Sequence, residues 1–329
     1  MSHNAAKQVN LDNDIQFHDL SPEEASFLAE VKEGLSQSPK TLSPKFFYDQ
    51  RGSKLFDQIC DLPEYYPTRT EMGILKQHKD EIAEAIGKHC ILIELGSGAS
   101  RKIRLLLDIL KPAQYTAVDI SRDFLVDSTR LLAKDFPWLE IHAVCADFSQ
   151  ILSLPSATRE DRRVAFFPGS SIGNFDPDSA ENFLKDVAGM LGPNGLLLIG
   201  VDLKKDHAIL NRAYNDESGV TAEFNVNLLR RMQRELGADL DLSGFDHKAW
   251  YNPDLGRIEM HLVSKQEQTL YLDGVGYDFR KNETIHTENS YKYSPEEFEA
   301  MADRAGFQRE NLWVDENNLF SVQLFRVTS

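Results

Sequence analysis

Residues 91–100 read ILIELGSGAS, a short apolar run that closes on a Gly-Ser-Gly turn. A run of this length without alternation is typical of a strand buried on both faces of a parallel sheet. Four more runs repeat the pattern of a buried strand: 115–119, 139–145, 164–167 and 196–201. Five such strands alternating with helices predict a doubly wound, Rossmann-like α/β sheet.

The C-terminal sequence predicts an antiparallel hairpin at the edge of this sheet. Two strand-like runs, about 308–315 and 319–327, are separated only by a short turn, so they are expected to pair antiparallel. A helix precedes them, because Ser294 and Pro295 form a cap and first-turn signal at the start of 294–305. The hairpin would complete the sheet.

Residues 205–290 break the alternation of strands and helices. A helical stretch (207–236) is followed by strand-like segments at 257–263 and 268–273. This region is therefore predicted to be an inserted α+β domain, and its role in binding substrate is what the resemblance given below implies. The predicted organisation is an N-terminal helical segment contributing to the substrate domain (1–69, with 1–20 as a frayed leader), a Rossmann-like domain (70–204), the insertion (205–290) and a C-terminal completion of the sheet (291–329).

Composition excludes several classes of partner. The 329 residues carry 36 Lys and Arg against 52 Asp and Glu, a formal charge of −16. Such a polyanion repels nucleic acid and anionic membranes, since affinity for nucleic acid comes largely from phosphate neutralisation. The three cysteines (Cys60, Cys90 and Cys145) form no C-x-x-C pair, so no disulfide framework or metal site is expected. Without a signal sequence or an apolar run of about 20 residues, the chain is predicted to be cytoplasmic.

The residues at the predicted strand ends are candidates for a ligand site, because ligands of open α/β sheets bind there. Gly96 and Gly98 let the backbone approach a ligand, although a plain tight turn is the alternative. Arg101 stands where a dinucleotide fingerprint needs its third glycine. Asp119 is placed to bind ribose hydroxyls, unless it only caps the next helix. Asp147 could accept from an adenine amine with Phe148 against the ring, unless it caps a turn.

This series of glycines and acids resembles class I S-adenosylmethionine-dependent methyltransferases, as does the terminal hairpin. S-adenosylmethionine carries a sulfonium cation and no phosphate, so acidic surroundings suit it. In many methyltransferases the loop after the fourth strand faces the methyl acceptor. Here that loop is 167–175, in which Asn174 offers both a donor and an acceptor, with a turn residue as the alternative.

Over roughly 250 residues, the chain is similar to the histidine Nα-methyltransferase family of ergothioneine biosynthesis. Residues 63–71, PEYYPTRTE, are the most diagnostic stretch. The other matching stretches are 44–49, 52–57, 94–104, 143–148, 169–174, 212–227, 257–260 and 287–290.

The resemblance implies a role for individual residues. S-adenosylmethionine would be bound by the glycine turn and the strand-end residues: Gly96, Gly98, Lys102, Asp119, Asp147 and Phe148. The amino and carboxylate groups of L-histidine would be held by Tyr65, Asn174 and Tyr214, with Tyr48 and the Gly169 backbone near the amine. Glu288 and Ser290 would bind the imidazole, and Met260 would line that end of the pocket. Tyr48, Tyr65 and Asn174 are thus the catalytic candidates.

Residue type alone leaves plainer interpretations open. Without the resemblance, Glu288 is a solvated acid, Met260 is a core residue, and the tyrosines lie at the edge of the core. The implied activity is three successive methylations of L-histidine to hercynine by a monomer without a metal. A methyltransferase for another amine, such as a tryptophan derivative, is the nearest alternative. A non-catalytic S-adenosylmethionine-binding regulator is a second, and a nicotinamide dehydrogenase is disfavoured by Arg101. No residue is marked by sequence as a dedicated base.

Overall fold

A computed structural model describes residues 7–11, 15–20, 24–147 and 162–328. Contacts between Cα atoms divide the chain into two compact units. The first unit comprises residues 1–21, 67–204 and 292–329, and the second comprises residues 22–66 and 205–291. Each unit is therefore assembled from segments that are distant in the sequence.

The described residues form the following elements. The strands are β1 (Lys7–Leu11), β2 (Ile15–Asp19), β3 (Lys40–Thr41), β4 (Ile91–Leu95), β5 (Gln114–Asp119), β6 (Ile141–Cys145), β7 (Arg163–Phe167), β8 (Leu196–Asp202), β9 (Phe245–Asn252), β10 (Arg257–Ser264), β11 (Gln268–Leu272), β12 (Val275–Phe279), β13 (Thr284–Tyr291), β14 (Phe307–Val314) and β15 (Phe320–Val327). The helices are α1 (Glu24–Ser36), α2 (Gln50–Cys60), α3 (Tyr66–Gln77), α4 (Lys79–Ile86), α5 (Arg104–Leu110), α6 (Arg122–Asp135), α7 (Pro177–Leu191), α8 (His207–Ala213), α9 (Val220–Leu236) and α10 (Pro295–Arg304).

The first unit is built on one large sheet. Its strands, counted over the described residues, follow the order β1-β2-β6-β5-β4-β7-β8-β15-β14. Neighbours from β2 to β8 are parallel, whereas β15 and β14 continue the sheet antiparallel. The predicted doubly wound sheet with an antiparallel edge hairpin is confirmed. After β6 the chain returns to the other side of β4, and ligands of such sheets bind at this switch in strand order.

Burial explains why the central strands read as unbroken apolar runs. Every residue of β4 and of β8 is buried. A strand covered by helices on both faces gains from apolar residues at every position instead of at alternate ones. Glu94 is the exception in β4, and its carboxylate accepts a hydrogen bond from the Tyr115 hydroxyl. The apolar pattern therefore positions the strand ends that carry the predicted cofactor residues.

The prediction for the N-terminal residues was wrong. Instead of a frayed leader or helix, residues 7–11 and 15–19 form β1 and β2. Strand β2 pairs parallel with β6, and its Ile15 and Phe17 side chains are buried. Without β2, β6 would present unpaired backbone groups at the edge of the sheet. These ten residues are too short and too polar to stand out as strands by themselves.

One predicted helical stretch is divided, and two consecutive helices, α3 and α4, meet at His78. The stretch predicted at 207–236 is α8 and α9, separated by residues 214–219. In that gap, Asp216 accepts hydrogen bonds from the Val220 and Thr221 amides, both at 2.9 Å, and so starts a new helix. Local capping overrides the apolar periodicity that runs through the gap.

The second unit contains a four-stranded sheet in the order β3-β13-β10-β9 and the hairpin β11-β12. Helix α9 packs on β9 and β10. Its Phe224, Leu228 and Met232 side chains are buried and follow one another at helical spacing. The face of the sheet under α9 carries the residues predicted to bind the acceptor.

Candidate active site

The glycine turn after β4 is shaped by backbone angles. Gly96 and Gly98 have φ of 70° and 49°, in the left-handed region that favours glycine. The amides of Gly96 and Ser97 donate to the Val118 carbonyl at 2.9 and 3.1 Å, which ties the turn to β5. A Cβ built on Gly98 would meet no described atom within 4 Å. The conformation therefore requires glycine at 98, and the space beside it is open among the described residues.

Asp119, at the end of β5, braces this turn. Its Oδ2 accepts from the Gly98 amide and its Oδ1 from the Ser121 amide, both at 2.9 Å. Burial raises the pKa of Asp119, and the backbone hydrogen bonds oppose that rise. A carboxylate has about four lone-pair sites, which is more than these backbone amides occupy. Asp119 thus holds the turn and the start of α6, as the capping interpretation expected, and still has capacity for ligand hydroxyls.

Three further observations bear on the fit of S-adenosylmethionine. The Ser97 hydroxyl is buried and has no hydrogen-bond partner among the described residues. Burial raises the pKa of the nearby Glu94 carboxyl to about 8. Asp147 is half-buried just after β6, whereas Phe148 lies outside the described residues. An orphaned hydroxyl, an open glycine and strand-end acids fit a ligand that brings hydroxyls and a positive charge.

Lys102 and Gly169, predicted at different parts of the site, share one partner. The Lys102 ammonium lies 2.5 Å from Oε2 of Glu71, whose side chain is fully buried. The Gly169 amide donates to the same carboxylate, at 2.9 and 3.1 Å from its two oxygens. Sequence reasoning missed Glu71 as a site residue. It lies on the face of α3 that also buries Ile74 and Leu75, so an acid within a buried apolar face was the signal.

The loop after β7 carries Asn174. Gly169 and Ser170 both have left-handed backbone angles, with φ of 78° and 59°. The Ser170 hydroxyl accepts from the Asp202 amide at 2.9 Å, which fixes the loop to the end of β8. A 3₁₀ turn over Ser171–Asn174 then ends at Asn174, which is half-buried. The fold therefore presents Asn174 at the carboxyl ends of the strands, as predicted.

In the second unit, the three predicted tyrosines belong to one aromatic cluster. The rings of Tyr65 and Tyr214 are 6.2 Å apart and nearly perpendicular. Phe56 links the two ends of the cluster, at 6.3 Å from Tyr65 and 5.8 Å from Tyr48. The Tyr48 ring also lies edge-on to Phe224 of α9 at 5.8 Å. Edge-to-face packing at these distances is favourable, and it holds the rings in fixed orientations.

The hydroxyls of this cluster have distinct environments. Burial raises the pKa of Tyr65 well above its usual value, and the negative charges that neighbouring Tyr214 and Glu288 can carry raise it further. Tyr65 therefore keeps its proton at neutral pH and acts as a hydrogen-bond donor. The Tyr214 hydroxyl donates to the Ser290 hydroxyl at 2.8 Å. Residues separated by 76 positions in the chain are thus joined directly.

A β-bulge determines which face of the sheet Glu288 occupies. Met260 pairs with Glu288, but the next residue, His261, pairs with His286, so Thr287 is an extra residue in β13. In a regular strand, residues 286 and 288 would share a face. The bulge instead turns His286 to the opposite face, where its ring stacks on His261 at 4.6 Å. Glu288 remains on the face of Met260, and its residue is only 9% exposed.

A chain of hydrogen bonds joins β13, α9 and β9 beside the residues predicted to bind the acceptor. The Thr287 hydroxyl lies 2.8 Å from Oδ1 of Asn225, and Nδ2 of Asn225 lies 2.8 Å from Nδ1 of His247. Nε2 of His247 lies 2.9 Å from the Tyr214 carbonyl, which makes Nε2 the protonated nitrogen. Burial lowers the pKa of His247. The neutral ring suits this chain, because a second ring proton would face the Asn225 amide.

Two buried carboxylates fix the segments that carry the tyrosines. Asp49, next to Tyr48, accepts from Gly52, Asn227 and Arg234. Burial would raise the pKa of Asp49, but these hydrogen bonds lower it overall. Asp216 lies two residues after Tyr214. Burial would raise its pKa as well, but its hydrogen bonds lower the pKa to about 2. Both supports were missed, because nothing in a single sequence distinguishes a supporting acid from a solvated one.

Among the residues that the structure covers, no group of three histidine, cysteine or acidic side chains could hold a metal ion. Within the same ranges, no helix combines the length and apolar character needed to cross a membrane.

The strand order around β4, the glycine turn and the acid at the end of β5 define an S-adenosylmethionine-dependent methyltransferase fold. A family model described as "Histidine-specific methyltransferase, SAM-dependent" matches residues 27–327. The chain belongs to this family and is an S-adenosylmethionine-dependent histidine methyltransferase.

Curated relatives extend over most of the chain. A histidine N-alpha-methyltransferase of Mycolicibacterium smegmatis is 42% identical over 90% of this chain and 93% of its own length. One of Mycobacterium tuberculosis is 41% identical over 92% of this chain and 96% of its own length. Ergothioneine biosynthesis protein 1 of Neurospora crassa is 34% identical over 84% of this chain, which spans only 32% of that larger protein. The resemblance inferred from the sequence is confirmed.

Proposed function

We propose that the protein transfers three methyl groups in succession from S-adenosylmethionine to the α-nitrogen of L-histidine, giving hercynine, the first step toward ergothioneine. The observation that carries this proposal is the placement of Glu288 and Ser290 on one face of a sheet, with Ser290 hydrogen-bonded to Tyr214. The names of the bacterial relatives support the α-nitrogen as the acceptor, and that of the fungal relative supports the pathway.

The imidazole is the part of the substrate that Glu288 and Ser290 would recognise. Imidazole carries two nitrogens, and a carboxylate together with a hydroxyl can satisfy both. An apolar side chain in the same place would leave the buried carboxylate of Glu288 without a partner, which is costly. Met260, opposite Glu288 in the sheet and 2% exposed, would line the ring. This end of the pocket favours histidine over an amino acid with an apolar side chain.

The amino and carboxylate groups would be held by the tyrosines and by Asn174. Tyr65 retains its proton and so can donate to a carboxylate, as can the side-chain amide of Asn174. The Tyr214 hydroxyl donates a hydrogen bond to Ser290, and its oxygen can still accept one. Because of the raised pKa of Tyr65, we assign it a binding role and leave removal of the amine proton to water.

S-adenosylmethionine supplies an electrophilic methyl group on a sulfonium cation. We assign its binding to Gly96, Gly98, Lys102, Asp119, Asp147 and Phe148. In this assignment Asp119 takes the ribose hydroxyls, Asp147 and Phe148 take the adenine, and Lys102 offers a positive charge to the carboxylate of the amino acid moiety. No oxyanion develops in such a transfer, so the residues accelerate it mainly by orienting the groups they bind.

Successive methylation requires a surface that tolerates a growing cation. The described rings of Tyr48, Phe56 and Phe224 lie in contact with one another in the second unit. The face of an aromatic ring attracts an ammonium group, whether or not the group still has protons to donate. We propose that Tyr48 fulfils this function near the amine. The net charge of −16 supports action on small molecules without nucleic acid or an anionic membrane as partner. We propose that the protein is a cytoplasmic monomer.

The test is incubation of the purified chain with L-histidine and S-adenosylmethionine, followed by mass spectrometry. We expect products that carry one, two and three added methyl groups, with the trimethylated betaine accumulating. Fragmentation should place every methyl group on the α-nitrogen. Tryptophan and phenylalanine assayed in parallel should be poor acceptors. Methylation of a ring nitrogen, or faster turnover of tryptophan, would contradict the proposal.

A further inference from the structure

The carboxylate of Glu71 is enclosed by three segments of the first unit. It projects from α3 toward Lys102, which follows the glycine turn, and toward the amide of Gly169, which follows β7. The Glu71 side chain has no exposed surface, and that of Lys102 is 15% exposed. One buried carboxylate therefore touches both a residue assigned to the cofactor and the loop that leads to Asn174.

The sequence of β8 makes room for this carboxylate. A Cβ built on Gly200 would lie 2.0 Å from Oε1 of Glu71, far inside van der Waals contact. The same Cβ would lie 3.0 Å from a ring carbon of Phe320, so the added methyl group would be crowded by a second side chain as well. Gly200 thus forms a slot that fits the Glu71 carboxylate closely.

The two contacts of Glu71 have different chemical requirements. Lys102 carries a positive charge and needs a negative partner in a buried place, because an unpaired buried charge is costly. The Gly169 amide is neutral and needs only an acceptor. Gly169 lies in the left-handed region, and a Cβ on it would meet the Lys102 ammonium at 3.3 Å. The ammonium and the loop are therefore packed against each other as well as against Glu71.

We propose that Glu71 is a positioning residue for methyl transfer, which orients Lys102 toward the cofactor and holds the Gly169 amide so that the loop presents Asn174 to the acceptor. This inference rests on the proposed roles of Lys102 and Asn174. Glu71 acts through them and contacts neither ligand.

Two substitutions separate the two contacts. Glu71→Gln retains an oxygen that can accept from Gly169 but loses the charge that pairs with Lys102. We expect Glu71→Gln to weaken the binding of S-adenosylhomocysteine about 10- to 100-fold, while the KM for histidine changes less than about threefold. Glu71→Ala loses both contacts, and it should raise the KM for histidine as well. Calorimetry measures the first quantity, and steady-state kinetics measure the second.

A double-mutant cycle tests whether Glu71 acts through Lys102. If it does, Glu71→Gln combined with Lys102→Met should bind S-adenosylhomocysteine no more weakly than Lys102→Met alone. Independent effects, which multiply in the double variant, would overturn the proposal. Binding by Glu71→Gln that is equal to or tighter than that of the parent would overturn it too. Because these readouts compare folded variants, thermal unfolding should first show that Glu71→Gln is folded, and the cycle does not depend on Glu71→Ala.

Glu81→Gln is the matched control. Glu81 is an acid of the first unit with a largely exposed side chain that accepts from the Trp313 ring nitrogen. Its substitution makes the same chemical change, and both ligand affinities should stay within about twofold of the parent. If the parent fails to methylate histidine, the proposed function falls. Binding of S-adenosylhomocysteine still tests Glu71 in that case, because it needs no acceptor.

Discussion

The two units prepare their parts of the chemistry by different means. In the first unit, the candidate cofactor residues follow strands of a parallel sheet, and main-chain amides of the glycine turn donate to the Val118 carbonyl of β5 and to the Asp119 carboxylate. In the second unit, the candidate acceptor residues are joined through side chains, as in the hydroxyl pair of Tyr214 and Ser290 and the chain from Thr287 to His247. A site formed by the backbone can be kept for one cofactor in many proteins, whereas a network of side chains can be specific for one acceptor.

Burial shifts the pKa of ionisable groups in both units, and an acid of the first unit and three histidines of the second show the two directions of the shift. Burial raises the pKa of Glu94 in the first unit to about 8. In the second unit burial lowers the pKa of His247, His261 and His286. In both cases burial favours the neutral form. The comparison therefore predicts that the stability and the ligand binding of the two units respond differently to an added methyl group, to loss of a polar group and to pH.

The largest effect is expected at Gly200, where a fully buried carboxylate packs directly against the backbone. Gly200→Ala places a methyl group against the Glu71 carboxylate and forces apart its contacts with Lys102 and Gly169. We expect the free energy of unfolding to fall by about 3 to 5 kcal/mol, as for disruption of a buried ion pair. Urea titration followed by circular dichroism measures this change.

The control for Gly200→Ala is another glycine of the same unit. Gly189 lies on the exposed side of α7, and a Cβ there would meet nothing within 4 Å among the described atoms. Gly189→Ala should stabilise the protein by up to about 1 kcal/mol, because alanine favours helix. Equal effects of the two substitutions would show that the slot beside Glu71 is not as tight as described.

The second effect concerns the acceptor residue itself. Glu288→Ala removes the carboxylate proposed to bind the imidazole. We expect kcat/KM for histidine to fall about 100-fold or more, with the affinity for S-adenosylhomocysteine within about threefold of the parent. Glu267→Ala, at an exposed acid of the same unit, should leave both quantities unchanged. Parent-like histidine kinetics in Glu288→Ala would remove this residue from the imidazole site.

The sequence predicts features that depend on local backbone rules better than features that depend on side-chain contacts between distant residues. The apolar runs, the glycines and the capping box at Ser294 follow local rules, and they predicted the sheet, its hairpin and the last helix. Strands β1 and β2 could not be recognised, because β2 depends on its long-range pairing with β6 and β1 on its pairing with β2. The bulge at Thr287 and the partners of Asn225 likewise depend on residues far away in the chain. Glu288 was therefore identified only by family resemblance, since an acid in a strand is usually solvated.

The third effect tests whether the acceptor region depends on its side-chain network. Asn225 is fully buried and bridges Thr287, His247 and the carbonyl of His261. Asn225→Leu leaves these groups without their partner, and we expect the free energy of unfolding to fall by about 2 kcal/mol. The KM for histidine should rise while binding of S-adenosylhomocysteine changes little. A variant in which the histidine KM is unchanged would show that the network supports the fold alone.

The last effect is a pH dependence of opposite sign for one buried group in each unit. An unfolded glutamate titrates near its usual pKa of 4.5, and burial raises the pKa of Glu94 to about 8 in the folded protein. Glu94 therefore stabilises the fold fully below pH 4.5, and this contribution is lost as the pH rises toward 8. For His261 burial, and then the neighbouring His286, lower the pKa from 6.5 to about 4. Its contribution is complete above pH 6.5 and is lost as the pH falls toward 4.

Two variants isolate these contributions from the rest of the chain. Glu94→Gln keeps a neutral hydrogen-bonding group, and His261→Phe keeps a flat ring against Trp250 and His286. The free energy of unfolding of Glu94→Gln, relative to the parent, should increase with pH between 4.5 and 8. That of His261→Phe should increase as the pH falls from 6.5 to 4. Each slope is limited to about 1.4 kcal/mol per pH unit for one proton. If the two relative free energies of unfolding changed with pH in the same direction, burial would not keep both Glu94 and His261 neutral. The two units would then differ only in how their hydrogen bonds are made.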